Sequence, residues 1–321
     1  MSLPLLSEAK PTVQHSASAI IENVERVVVG MRDTIELVVV ALLCEGHVLL
    51  EDVPGVGKTL LSKTVARTLA CEFRRIQFTS DLLPSDVTGL NVFNQKDQDF
   101  RFIPGPLMAN IVLADEINRA TPRTQASLLE AMQERQVTVD GETRPLPRPF
   151  MVLATQNPVE QEGTFPLPEA QLDRFLLTLR PGYPSATEEE EILTRFADHD
   201  PLADVCAVLS ADELVELQAM RRQIHVGDAV RNYLVSLVRA TRKDARIRLG
   251  ASPRASQNLF AAAQAHAALQ GRDFALPDDV KALAVPVLAH RLVLGADTTL
   301  GGHSKEAVIT DLLESIPVPV D

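Results

Sequence analysis

The 321-residue sequence predicts an α/β protein, a parallel sheet covered by helices on both faces and followed by a smaller all-helical unit. Three observations predict it. Short apolar runs of strand length alternate with helical segments up to about residue 180, as in a parallel sheet buried on both sides. A Gly-rich loop separates the first such run from the helix after it. Beyond Pro181-Gly182-Tyr183-Pro184 the strand-like runs almost vanish and helical segments take over. Composition agrees: apolar residues make up 45%, aromatics only 4% and Trp is absent, so the core must be Leu, Val, Ile and Ala. That favours helices and parallel strands over an aromatic-rich sandwich, and the length suffices for two domains.

Residues 1–15, with Pro4, Pro11 and several small polar residues, read as a flexible leader. Ile20, Ile21, Val24 and Val27 are spaced for a helix over Ser16–Val29, which Gly30 ends. Met31–Leu43 follows as a second apolar helix. His47–Val53 reads as a buried strand, and a Gly/Pro loop then leads into a helix over Lys58–Ala70. Phe73–Phe78, Asn110–Ala114, Phe150–Ala154 and Phe175–Leu179 are the further strands. Gln136–Thr143 alternates polar and apolar residues up to an Asp-Gly turn, a hairpin pattern, and Leu90–Ile103 is a second hairpin candidate. After a boundary near 183, helices are expected over Thr187–Ala197, Asp212–Gln223, Asp228–Lys243, Pro253–Gln270 and Pro277–His290. The expected division is therefore leader 1–15, α/β core 16–183 and helical unit 184–321.

A formal net charge of -12 repels polyphosphate surfaces and makes nucleic acid a poor default partner. Cys44, Cys71 and Cys206 are scattered, with no CxxC pair, as expected for reduced thiols in the cytoplasm. The apolar run Leu37–Cys44, bracketed by Glu36 and Glu45, is too short to span a bilayer, and the N-terminus lacks an export pattern.

Gly55-Val56-Gly57-Lys58-Thr59, between a strand and a helix, carries the strongest chemical signal. Backbone N–H groups of such a loop and the helix dipole cradle β- and γ-phosphates. Lys58 neutralises phosphate charge and the Thr59 hydroxyl ligates Mg²⁺. Asp52 stands where the strict phosphate-loop pattern has Gly. Ile111–Glu116 ends a buried strand on two carboxylates, costly unless compensated. Downstream of a phosphate loop, Asp115 is the natural Mg²⁺ contact and Glu116 the group that polarises water. Asn157, at the end of Met151–Pro158, could position that water or simply form a turn before Pro158. Arg174, just before a buried strand, could serve a neighbouring subunit as an arginine finger or pair with Asp173 or Glu169. Arg254 follows Ser252, an N-cap candidate, and Pro253; a cation in a first helical turn opposes the dipole unless a phosphate faces it.

Glu51–Thr59, Leu113–Ala120, Ala154–Pro158 and Leu172–Phe175 together resemble the MoxR family of AAA+ ATPases, over about residues 16–310. That family often tolerates a residue other than Gly at the position of Asp52. The resemblance implies an αβα core and helical lid, with ATP/ADP and Mg²⁺ as cofactors. Pro54, Gly55, Val56, Gly57, Lys58, Thr59 and Leu60 would hold the nucleotide, with Val29 and Gly30 lining the adenine pocket. Thr59 and Asp115 would hold the metal. Asp115 and Glu116 match the Walker B pair, Asn157 sensor 1, Arg174 the finger and Arg254 sensor 2. Leu90–Pro104 looks like the helix-2 insert and Val137–Thr143 like the pre-sensor hairpin. Arg119 and Arg123, near the Walker B turn, could face a neighbour.

Such proteins are chaperone-like remodelling rings, six copies by family expectation, often with a von Willebrand factor A domain partner. ATP hydrolysis would rock the lid against the core. The same motifs also suit a magnesium-chelatase-like motor subunit, a nucleic-acid motor or a nucleotide-gated scaffold.

Overall fold

The structure, a computed structural model, describes residues 12–51, 55–96, 98–157 and 163–319. Pro54 and Pro158 lie outside the described residues, as does most of the expected leader. The first element is α1 (Val13–Glu25), which starts before the expected Ser16 because the Thr12 side chain accepts a bond from the His15 N–H. It also ends before the expected Val29. The N–H groups of Val27 and Val28 both turn back to the Val24 carbonyl, so those buried valines belong to a turn that closes at Gly30. The helical spacing reflected burial, not continuation of the helix.

There follow α2 (Arg32–Leu43), β1 (Val48–Glu51), α3 (Lys58–Thr68) and β2 (Phe73–Gln77). Then come α4 (Pro84–Thr88), the hairpin β3 (Gly89–Asn94) and β4 (Asp99–Pro104), and β5 (Ile111–Asp115). Next are α5 (Pro122–Glu134), the hairpin β6 (Gln136–Val139) and β7 (Glu142–Pro145), β8 (Met151–Gln156), α6 (Glu169–Leu172) and β9 (Leu177–Leu179). The helical unit comprises α7 (Ala186–Arg195), α8 (Ala211–Arg221), α9 (Asp228–Ala240), α10 (Pro253–Leu269) and α11 (Pro277–Leu288). It also holds the small pair β10 (Ile247–Leu249) and β11 (Val293–Leu294), with α12 (Ala296–Leu300) and α13 (Lys305–Ser315). No described helix is long and apolar enough to cross a membrane.

The main sheet is parallel, in the order β2-β5-β8-β1-β9. Its strand period sorts residues onto two faces. Val48, Leu50, Ile111, Leu113, Met151 and Leu153 enter one apolar cluster, while Leu49, Val112, Ala114, Val152 and Ala154 enter the other. Both faces are therefore dry, and the polar side chains Glu51, Asp115 and Gln156 are confined to the strand ends. Ligands collect at such carboxyl ends.

The first cluster does not stop at residue 183. It runs from α1 and α2 into α8 to α11 and α13 of the helical unit. The lid also satisfies the carbonyls that end α2: Gln218 donates to Leu42 O at 2.8 Å and Arg221 to Leu43 O at 3.3 Å. At the next turn Glu45 takes Arg135 and Arg148 from the core and Arg222 from the lid. Burial pushes the Glu45 carboxyl up, but the three guanidinium ions outweigh it and hold it below its ordinary range. The expected rocking lid thus shares a core and ion pairs with the α/β unit.

Candidate nucleotide site

In the phosphate loop Gly55 and Gly57 have φ values of +90° and +82°, which suit glycine. A Cβ at either would meet nothing within 4 Å, so both face open space. Gly57 is the residue before α3, which puts Lys58 and Thr59 in the first turn with its unsatisfied N–H groups.

Two cavities meet at this loop and share Gly55, Gly57 and Leu60. One, of about 440 Å³, is mainly apolar and lined by Val27 to Met31, Val56, Tyr183, Ile192 and Phe196 among others. The other, of about 430 Å³, is polar and brings together Lys58, Thr59, Asp115, Glu116 and Asn157 with Arg75, Gln77, Thr155 and Gln156. An apolar chamber and a polar one joined at a helix N-terminus suit a ligand with an aromatic base and a polyanionic tail. Of the expected nucleotide contacts, Val29, Gly30, Gly55, Val56, Gly57, Lys58, Thr59 and Leu60 line one or both cavities.

Strand order explains the polar chamber. β8 lies between β1 and β5, so Asn157, at its end, lies between the phosphate loop and the two carboxylates. Asp115 is the last residue of β5. Its Oδ2 accepts from Arg75 Nη2 at 2.6 Å and Nε at 3.1 Å, and its Oδ1 from Thr155 Oγ1 at 2.6 Å. The same Thr155 hydroxyl oxygen accepts the Glu116 N–H at 2.8 Å. Glu116 adopts φ 57°, ψ 49°, a left-handed conformation that a non-glycine residue holds at some cost and that turns its side chain out of the strand path. Two donors converge on Glu116 Oε2: Gln77 Nε2 at 2.8 Å and Arg119 Nε at 3.0 Å. Among the described residues no trio of His, Cys, Asp or Glu could hold a metal ion. Thr59 and Asp115 line the same polar cavity, an oxygen pair of the kind Mg²⁺ takes together with phosphate oxygens.

Arg174 and Arg254 line neither cavity. The segments that carry them meet at a separate corner built around Asp173. Asp173 accepts Arg291 Nε at 2.7 Å and the Ser252 hydroxyl at 3.0 Å, while Arg174 makes no ion pair among the described residues. Ser252 is the N-cap of α10 and Pro253 its first residue, so Arg254 stands in the first turn. Arg291 is pulled down to about 10, first by burial, then held up by Asp173 and lowered again by the nearby charge of Arg254. The structure thus joins the segment before β9 that carries Arg174 to the start of α10 that carries Arg254, and neither arginine lines the two cavities.

Residues 47–177 match the family described as ATPase family associated with various cellular activities (AAA), and residues 239–312 match its lid domain. Chaperone MoxR1 of Mycobacterium tuberculosis is 45% identical over 95% of this chain and 83% of its own. YeaC of Bacillus subtilis, an uncharacterized protein, is 49% identical over 94% of each chain. The chain belongs to the MoxR family of AAA+ ATPases. In three dimensions it is similar to the crystal structure of a candidate ATPase from Cytophaga hutchinsonii, with TM-score 0.90, 38% identity and 96% of each chain covered.

Several of this MoxR-family chain's site residues escape sequence reasoning. Arg75 and Gln77 alternate on β2, with Gln77 in register with Asp115, so both reach the carboxylates of β5. Their period-2 polarity was visible, but not the strand they face. Thr155 lies two positions before Asn157, on the same strand end. Arg291 lies 118 positions from Asp173, and no local pattern connects them.

Proposed function

We propose that the chain hydrolyses Mg-ATP in a ring of identical copies, six by family resemblance, and that the ring remodels protein complexes as a chaperone. One observation carries the shared-site reading: the cavity gathers phosphate loop, carboxylates and Asn157, whereas Arg174 and Arg254 lie outside it, on segments joined through Asp173. Each copy then lends Arg174 and Arg254 to the next copy's ATP. When bound, Mg²⁺ would supply charge neutralisation for the transferring phosphate. Lys58 adds a cation, the N–H groups of Gly57 to Thr59 cradle the phosphates, and Thr59 with Asp115 holds the metal. Glu116 orients the attacking water and accepts its proton, with Asn157 opposite. The apolar chamber beside Val29 and Gly30 takes the adenine.

The chaperone role is supported by the named relative from Mycobacterium tuberculosis. Client contact is assigned to the tip of the β3–β4 hairpin, where Phe100 is 65% exposed and packs edge-on against Phe93. A von Willebrand factor A domain protein is the expected partner, and the three free cysteines suit the cytoplasm.

The test is ATPase rate per subunit against protein concentration. It should rise as rings form, and Glu116→Gln should retain ATP while turnover stops. Arg174→Ala should lower turnover by roughly 10³–10⁵-fold. An Arg174→Ala rate equal to wild type would sink the shared site.

A further inference from the structure

We propose that Arg291 and Asp173 are positioning residues that fix Arg174 and Arg254 as one rigid two-pronged unit, so that lid and finger enter a neighbour's site together. This rests on the shared-site reading above and adds what holds the prongs. Arg291 is only 4% exposed, and most of its guanidinium donors are spent on one stretch of chain. Nε binds Asp173 Oδ1 at 2.7 Å, Nη2 reaches Asp173 O at 3.3 Å and also Phe175 O, and Nη1 reaches Leu176 O at 3.3 Å. Nη1 also donates to Val287 O, near the end of α11. The backbone on both sides of Arg174 is therefore tied to the lid through a planar group with fixed donor directions. The preceding residue adds a further tie, His290 Nε2 to Phe175 O at 3.2 Å.

The second prong is fixed by the same carboxylate. The Ser252 hydroxyl donates to Asp173 and also accepts the Ala255 N–H at 3.3 Å, so the start of α10 is anchored on the finger segment. Arg254 is two residues further on. Charge balance points the same way. Asp173 is spent on the buried Arg291, and neither Arg174 nor Arg254 forms an ion pair among the described residues. Arg174 and Arg254 remain as a surplus, which an anion presented by another copy would neutralise. An apolar residue at 291 could fill the volume at less desolvation cost, whereas the charged lattice sets orientation.

The experiment uses the full-length protein with Asp173→Asn and Arg291→Lys, each alone and mixed with Glu116→Gln. ATP binding, read with a fluorescent ATP analogue, should stay within about twofold of wild type because the cavity residues are untouched. Turnover should fall about tenfold or more without reaching the roughly 10³-fold loss of a deleted finger. In mixtures activity should return, because a variant copy keeps a working cavity and a Glu116→Gln copy offers intact prongs. Should either variant fold poorly, Ser252→Gly places a residue that N-caps tolerate and removes the hydroxyl, with its bonds to Asp173 and to the Ala255 N–H. It should show the same pattern more weakly. If Arg174→Ala is rescued in mixtures but Asp173→Asn and Ser252→Gly are not, the positioning role is overturned and the shared site stands. If Arg174→Ala itself turns over normally, the shared site fails first.

Discussion

The phosphate cavity and the Asp173 corner are built from the same chemistry, a carboxylate held by arginine, in opposite surroundings. Arg75, on Asp115, has 46% of its side chain exposed, whereas Arg291, on Asp173, has 1%. An exposed pair is worth little and can be exchanged for another cation, while breaking a buried one strands an uncompensated charge. The cavity is therefore made to be rearranged by what enters it, and the corner is made to stay as it is.

Four measurements would break or sharpen that contrast, the largest effect first. Lys58→Ala should abolish nucleotide binding, whereas Arg174→Ala should leave binding intact and cut turnover by roughly 10³–10⁵-fold. Equal effects on affinity would erase the distinction between the halves. The Asp173→Asn and Arg291→Lys variants come next, with smaller losses confined to turnover.

Stability against pH reads the interior that both halves share. Burial drives His47 from an ordinary 6.5 down to about 4, and drives His290 well below 6.5, a shift that neighbouring Arg291 reinforces. Both rings are neutral in the folded state, so the unfolded chain binds more protons below pH 6.5. Unfolding free energy should thus be unaffected by these groups above pH 6.5 and fall as pH drops toward 4. Each contributes at most about 1.4 kcal/mol per pH unit. His47 takes the Val152 N–H on Nδ1 and faces Met132 O with Nε2, both at 3.0 Å. Gln can offer the same acceptor and donor, so His47→Gln should flatten the slope in urea titrations at pH 7 and 5. A slope unchanged by that substitution refutes the assignment.

Smallest is Arg75→Ala. It removes the cation competing for Asp115, so the Mg²⁺ concentration for half-maximal ATPase should fall roughly two- to fivefold, the range expected of an exposed pair. A rise would mean that Arg75 aims the carboxylate instead of occupying it.

The same contrast explains what the sequence could tell. Gly55 to Thr59 and Asp115-Glu116 are contiguous, and their strand-loop-helix setting follows from hydrophobic period alone, so the cavity was legible. Ser252 and Pro253 also announced the start of α10 correctly. What no local pattern held was the meeting of residues 173, 252 and 291, which depends on the lid folding back onto the sheet. The end of α1 was misread for a related reason. Ile20, Ile21, Val24 and Val27 have the spacing of a helix face, but Val27, Val28 and Val29 are buried in a turn beside the apolar chamber.

The apolar cluster that runs unbroken from α1 and α2 through the lid has a mechanical corollary. A single hydrophobic interior resists internal bending, so each copy in a ring would move as a stiff block. In the proposed ring, compliance would then lie at the seams between copies, and the stroke would be a change in tilt between adjacent blocks.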